Sequence, residues 1–450
     1  MSLAAAISAY HDLLTPELAT QTQARLDDEL ARRGLSFGGR PLCTVLRPRF
    51  MTPRQYAFLR DRGRRVLGAF EKAYRAAMAD PSVRAQFRLL PWEEEMLGDD
   101  PGFREPSPTS RLDAFFEGDG ERLWFTEYNA ETPAGVAYSD VLAEVFLALP
   151  VAGEFLRKFE LRPLPARHTV LHVLLDAYRQ WSRGRELPRI AILDWREVPT
   201  YSEFVLFAEY FQAHGIDCVI ADPREVEYRQ GKLMAGEGAI DLIYKRVLIS
   251  ELVMHGGLEH PVVRAVRDRA VCMVNPFRCK VLHKKTSLAV LSDERNASLF
   301  SSEELQAIED HIPWTRTVEE RHTVHGGRTV DLVAFAHEHR AQLVLKPNDE
   351  YGGKGIVLGW EVDDTAWGAA LATALSEPYI LQERVTLPSE PFPSVVDGTL
   401  AIADRMLDTA PFISYGRYVD GCMTRLSTAA LLNVTAGGGS SVPTFLVDRR

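Results

Sequence analysis

The chain has 450 residues, 46% hydrophobic and 25% charged, a balance that excludes disorder and leaves room for two or three packed subdomains. A formal net charge of −10 repels polyanions, which excludes nucleic acid and an anionic membrane surface as expected partners. Neither a basic-then-apolar leader nor a run of the ~18 apolar residues that span a membrane occurs, so a cytoplasmic protein is expected.

The first hundred residues have helical spacing of apolar positions over Glu17–Arg33 and Pro53–Met78, with Pro53 after Thr52 forming a capped start. Pro101 to Ser110 is rich in proline and predicts a loop. Two strands follow, Arg111–Phe116 and Leu123–Tyr128, around a Glu117-Gly118-Asp119-Gly120 turn, then a helix from Val136 to about Leu149. Strands at Arg189–Asp194, Asp217–Asp222 and Asp241–Val247, with a helix at Ser202–His214, predict a parallel, Rossmann-like middle. The first of these strands is not followed by Gly-x-Gly-x-x-Gly, so a dinucleotide site is not expected there. The last third begins near Asn275-Pro276. It holds a strand at Leu343–Pro347, a helix at Ala366–Leu375, a strand at Pro378–Val385, and Gly437-Gly438-Gly439-Ser440 before a short strand at Pro443–Val447.

Alternate residues of a strand share a face, so Arg111 lies with Asp113 and Glu127 with Asn129. A register pairing odd positions with odd would bring all four together. Two carboxylates and an amide oxygen are hard ligands suited to magnesium, and the arginine beside them suits developing negative charge. The same pattern also describes a hairpin with solvated charges. Lys346 leads into Gly352-Gly353-Lys354-Gly355, whose glycines would let backbone N–H groups approach phosphates, although the spacing is not that of a Walker loop. Gln382-Glu383-Arg384-Val385 ends a strand that could face adenine and ribose, and Lys285 could supply a second phosphate-facing lysine. Adjacent lysines such as Lys284 and Lys285 otherwise read as a solvated helix start, and Asp349-Glu350 as a solvated loop. His168 and His172 read as a helix-surface pair, because no glutamate follows the first of them. The five scattered cysteines suggest neither a zinc knuckle nor a disulfide framework.

In this order, metal carboxylates before phosphate lysines, the motifs resemble the circularly permuted branch of the ATP-grasp superfamily. They are similar to the synthetase domain of glutathionylspermidine synthase and its bacterial relatives. The resemblance runs over roughly residues 105 to 450 and is carried by Arg111-x-Asp113, Glu127-Tyr128-Asn129-Ala130-Glu131-Thr132-Pro133 and the later lysine strand. It implies a mixed α/β fold with a helical region over 1–105, a metal-binding part over 106–165, a Rossmann-like subdomain over 166–275 and a lysine and glycine-loop part over 276–450. It further implies Asp113, Glu127 and Asn129 as magnesium ligands and Arg111 as the transition-state arginine. Lys285, Lys346, Gly352, Gly353, Lys354, Gly355, Gln382, Glu383 and Val385 would bind ATP. The implied activity is an ATP- and magnesium-dependent ligase joining a small-molecule or peptide carboxylate to an amine through an acyl phosphate. The alternative is a nucleotide-binding protein of the same fold without ligation. Glu131 and Ala134-Gly135 depart from the glutathione-recognising pattern, and Arg417 and Arg425 are candidates to meet a substrate carboxylate.

Overall fold

The computed structural model describes residues 2–118, 121–350, 352–428 and 439–450. Asp119 and Gly120 of the expected hairpin turn, and Gly437 and Gly438 of the closing glycine run, lie outside them. The fold is mixed α/β, with helices packed on several separate sheets. Among the described residues no helix is long and apolar enough to cross a membrane.

The two N-terminal helices that the spacing predicts form at Pro16–Arg32 and Pro53–Ala79, and a further helix, Leu3–Leu13, precedes them. The long third helix starts on a capping box. Thr52 Oγ1 accepts from the Gln55 N–H at 3.1 Å, and Gln55 Oε1 accepts from the Thr52 N–H at 2.8 Å. Thr52→Ala is therefore expected to lower stability by ~1 kcal/mol, read as a lower denaturation midpoint. The region is not purely helical, because the strand Arg49–Met51 pairs in parallel with the last strand, Ser440–Arg449, placing Phe50 opposite Phe445.

Among the described residues the largest sheet has nine strands. Its main path runs Ser389–Val396, Thr399–Leu407, Tyr418–Ser427, Ala410–Ser414, Thr109–Glu117 and Arg122–Asn129, so the hairpin near residue 110 is seated against strands from the chain's end. Phe412 lies opposite Arg111 across that junction. One face of the hairpin carries Leu112, Ala114, Phe116, Leu123, Phe125 and Tyr128, packed against Leu59, Val66, Leu67 and Phe70 of the long helix. Burial of these side chains fixes which face is left for the polar residues.

A second sheet is parallel, in the order Cys272–Val274, Leu242–Lys245, Ile190–Leu193, Cys218–Ala221. The helices Tyr201–Ala213 and Arg167–Ser182 pack on it. A small antiparallel meander, Val226–Arg229, Lys232–Ala235 and Gly238–Ala239, interrupts the expected strand–helix alternation. A third sheet is antiparallel, in the order Thr315–Thr317, Tyr379–Glu383, Leu343–Pro347, Val357–Leu358, and packs against Leu332–Glu338 and Asp364–Ser376. The expected strand to Val385 ends at Glu383, because its neighbour begins at Leu343 opposite that residue. Val385 is thus in the following loop.

Candidate active site

The hairpin brings Arg111, Asp113, Glu127 and Asn129 together through a β-bulge. Arg111 pairs with Asn129 and Asp113 with Glu127, but the next pair is Ala114 with Phe125, so Thr126 is the extra residue. The bulge lets Phe125 and Tyr128, three apart, both enter the core while Glu127 and Asn129 stay on the polar face. It also offers the Thr126 carbonyl to Lys346 Nζ at 3.3 Å.

Asp113 is buried and held by two arginines. Arg111 donates from Nε to Oδ1 at 2.6 Å and from Nη2 to Oδ2 at 2.9 Å, and Arg425 Nη2 reaches Oδ2 at 2.8 Å. Burial alone would push this carboxyl up, but the two guanidinium groups outweigh it and hold Asp113 well below the usual carboxylate range. Arg425 is in turn fixed by Asp408, through its Nε at 2.6 Å and its backbone N–H at 2.6 Å. Arg417 does not join this group and instead pairs with Glu71 at 3.0 Å.

Two lysines reach the same place from other elements. Lys285 Nζ lies 2.9 Å from Glu127 Oε1 and donates to the Glu350 carbonyl at 2.7 Å. Lys346 Nζ donates to Gln382 Oε1 at 2.7 Å, and Gln382 Nε2 donates to Thr315 Oγ1 at 3.0 Å. Burial lowers the Lys346 ammonium to about 8, with the Glu127 charge opposing that shift. The Glu127 carboxyl, which burial alone would raise, is held below its ordinary range chiefly by Lys285. Gln382 is therefore turned inward onto a lysine, whereas Glu383 on the alternate face meets His325 Nε2 at 2.8 Å.

The glycine-rich loop stands on a firmly bonded base. Asn348 accepts the Thr286 N–H on Oδ1 at 2.9 Å and donates from Nδ2 to the Phe87 carbonyl at 3.1 Å, and its own carbonyl accepts from the Lys285 N–H at 2.9 Å. Gly352, Gly353 and Gly355 have φ of 65°, 78° and 71°, in the left-handed region. A Cβ on Gly355 would lie 2.7 Å from Pro347 Cγ, so only glycine lets the loop fold back on its own strand. Lys354 is largely exposed, with Glu350 at 3.3 Å.

Beneath this loop lies a buried ionic cluster that sequence reasoning missed. Lys280 Nζ contacts Glu131 Oε2 at 3.0 Å and both Asp349 oxygens at 2.7 and 2.8 Å. Lys284 Nζ bridges Asp349 at 2.9 Å and Glu93 at 2.7 Å, and Lys245 Nζ lies 3.3 Å from Glu131 Oε1. His283 is lowered to about 4 by burial and is neutral near pH 7. The three lysines thus balance the three carboxylates. Lys284 and Lys285 are buried rather than solvated, and Asp349 anchors the loop rather than solvating it. The available signal was Lys280 and Lys284 four apart, on one side of a helical turn. Glu131, His283 and Asp349 have the chemistry of a metal site, but the Lys280 ammonium already sits against both carboxylates.

Elsewhere, His168 and His172 are both exposed on the helix Arg167–Ser182, and the five cysteines are buried and free. Ser440 Oγ accepts the Thr44 N–H at 3.0 Å, a structural contact.

Among solved structures, the chain is similar to a glutathione synthetase-like effector from Globodera pallida in its apo form. The TM-score is 0.62 and the identity 12%, over 96% of this chain and 98% of that one, and the likeness is one of fold. A RimK domain ATP-grasp protein from Sphaerobacter thermophilus matches at 16% identity and TM-score 0.28, over 58% of this chain and 90% of that one. D-alanyl-alanine synthetase A from Vibrio cholerae matches at 11% identity and TM-score 0.28, over 58% and 74%. Neither of these two scores defines a shared overall fold. No family model and no curated protein matches the sequence.

Proposed function

We propose that this chain is a carboxylate–amine ligase of the ATP-grasp type, with its motifs in permuted order, that uses ATP and magnesium. One observation carries the reading. Asp113, Glu127 and Asn129 on a hairpin meet Lys285 and Lys346 from two other elements, beside a glycine-rich loop. The donor set fits magnesium: Glu127 and Asn129 offer hard oxygens on one face, and the Asn129 side chain makes no hydrogen bond to another described residue. When bound, the ion would neutralise phosphate charge.

The chain's own residues supply the rest. Lys285 and Lys346 reach the hairpin from two other elements, where their ammonium groups would hold phosphate oxygens. Arg111 and Arg425 converge on Asp113 where charge develops as a carboxylate oxygen attacks the γ-phosphorus and ADP leaves. The amine nitrogen then attacks the acyl carbon, the C–O bond to phosphate breaks, and the amine loses a proton to give the amide. Positioning and charge neutralisation provide the acceleration, with no side-chain nucleophile.

The test is magnesium-dependent release of ADP and phosphate across a pool of amino acids, short peptides and polyamines. Stimulation by one carboxylate–amine pair supports ligation. Lys346→Met is expected to weaken ATP binding by about tenfold or more, since it removes a charge-assisted contact, and unchanged affinity in a titration would count against the assigned phosphate role. A second reading, nucleotide binding without ligation, is favoured by the double clamp on Asp113, which a cation would have to share. Tight ATP binding with no stimulated turnover supports that reading.

A further inference from the structure

The parallel sheet has a second polar crevice, remote in sequence from the hairpin site. Its central strand, Ile190–Leu193, is the point where the chain order reverses: the next strand joins on one side, and the two after that build outward on the other. In open α/β sheets, ligands bind beyond the carboxyl ends of strands at such a reversal. A pocket of about 300 Å³ lies beyond the carboxyl ends of this strand and its neighbour Cys218–Ala221, lined by Asp194, Arg196, Tyr201, Ile220, Ala221 and Asp222.

The two carboxylates in it differ. Asp222 is fully engaged: Arg224 donates from its backbone N–H at 2.9 Å and from Nε at 2.8 Å to Oδ1, and from Nη2 at 2.6 Å to Oδ2, while the Arg196 N–H reaches Oδ2 at 3.0 Å. Asp194 is only 7% exposed, yet it accepts a single bond, from the Trp195 N–H to Oδ1 at 2.8 Å, and no described residue donates to Oδ2. The nearby cations are committed elsewhere. Lys245 is held by Glu131 and the Val247 carbonyl, Arg246 by the Pro133 carbonyl and Glu203, and Arg196 by Glu225. A carboxylate oxygen without a protein donor, open to the crevice on a side chain that is otherwise buried, and beside arginines already paired with carboxylates, is complementary to a positive guest.

We propose that this crevice binds a primary ammonium group, with Asp194 as its anion and Ile220 and Tyr201 flanking the alkyl stem. Burial raises the Asp194 carboxyl to about 7, so an arriving ammonium would also displace a proton from it. The site deepens the ligase reading by naming the amine as an alkylammonium, and it rests on that reading only for the amine's fate.

Calorimetry of the full chain with putrescine, without nucleotide, tests it. Binding is expected, with a heat that changes with buffer ionisation enthalpy as the proton is released. It is expected to weaken about tenfold or more in Asp194→Asn. Ile220→Trp, which fills the pocket without touching the carboxylate, is a second variant expected to weaken it. Absence of putrescine binding at millimolar concentration, or equal affinity in wild type and both variants, overturns the proposal. Binding lost in Asp194→Asn by a chain that never turns over ATP would leave this site standing and defeat the ligase reading. Amine-stimulated ATP turnover, together with putrescine affinity indifferent to both variants, would do the reverse.

Discussion

On the proposed ligase reading, Asp113→Asn is expected to lower magnesium-dependent ADP formation by ~10²- to 10³-fold, the scale for removing a preorganised charge at a phosphoryl-transfer centre. The asparagine keeps the side-chain shape but gives Arg111 and Arg425 an amide oxygen in place of a carboxylate that both now contact. That loss also reduces stability, by ~1–3 kcal/mol, because charged donors are left undercompensated in a buried position. Initial rates measured well below the unfolding midpoint of each protein separate the two effects. Glu127→Gln is the companion variant: Glu127 is more accessible and has one ion pair, so it tests the same oxygen set at less structural cost. Turnover by either variant within twofold of wild type would contradict the assigned ligand set.

The largest stability effect is expected at Lys280. Replacing it with methionine keeps the stem but leaves the three carboxylates of the buried cluster to two lysines, and such a break of a buried ion pair costs ~3–5 kcal/mol. The urea midpoint should fall accordingly, and a shift no larger than that of a surface lysine substitution would refute the role of the cluster. Its pH dependence has a definite sign. Burial opposes ionisation of both carboxylates, but Lys280 with Lys245 at Glu131, and Lys280 with Lys284 at Asp349, hold each below its ordinary range. A folded pKa below the unfolded one gives stability that is fully present above the unfolded value of ~4. That stability is lost as pH falls through the folded values. Wild type should therefore lose stability in acid below pH ~4, and in Lys280→Met that pH-dependent part should shrink.

Much of the local structure was legible because its causes are local. Thr52 before Pro53 announces the long helix, Arg111–Phe116 announces a strand, and the short apolar runs at Ile190–Leu193 and Leu242–Lys245 announce further strands, both buried on both faces. The bulge at Thr126 was not read, although Phe125 and Tyr128 three apart were its trace. The end of the strand at Glu383 depends on where its neighbour begins, which no residue near Val385 reports. The meander at Val226–Ala239 lies in a stretch that carried no expectation.

The sequence by itself determined the inventory and order of the charged groups, namely acidic hairpin first and lysines later, together with the helices and strands that present them. Only the tertiary structure decided which charges neutralise one another. Arg425 meets Asp113 across 312 positions, Lys285 meets Glu127 across 158, and Lys280 meets Glu131 across 149. The reason is physical: a charge's partner is set by proximity and by the solvent it has lost, and both arise only when distant segments pack. A lysine that reads as solvated beside its sequence neighbours becomes, once buried against a carboxylate from another sheet, part of what holds the site in place.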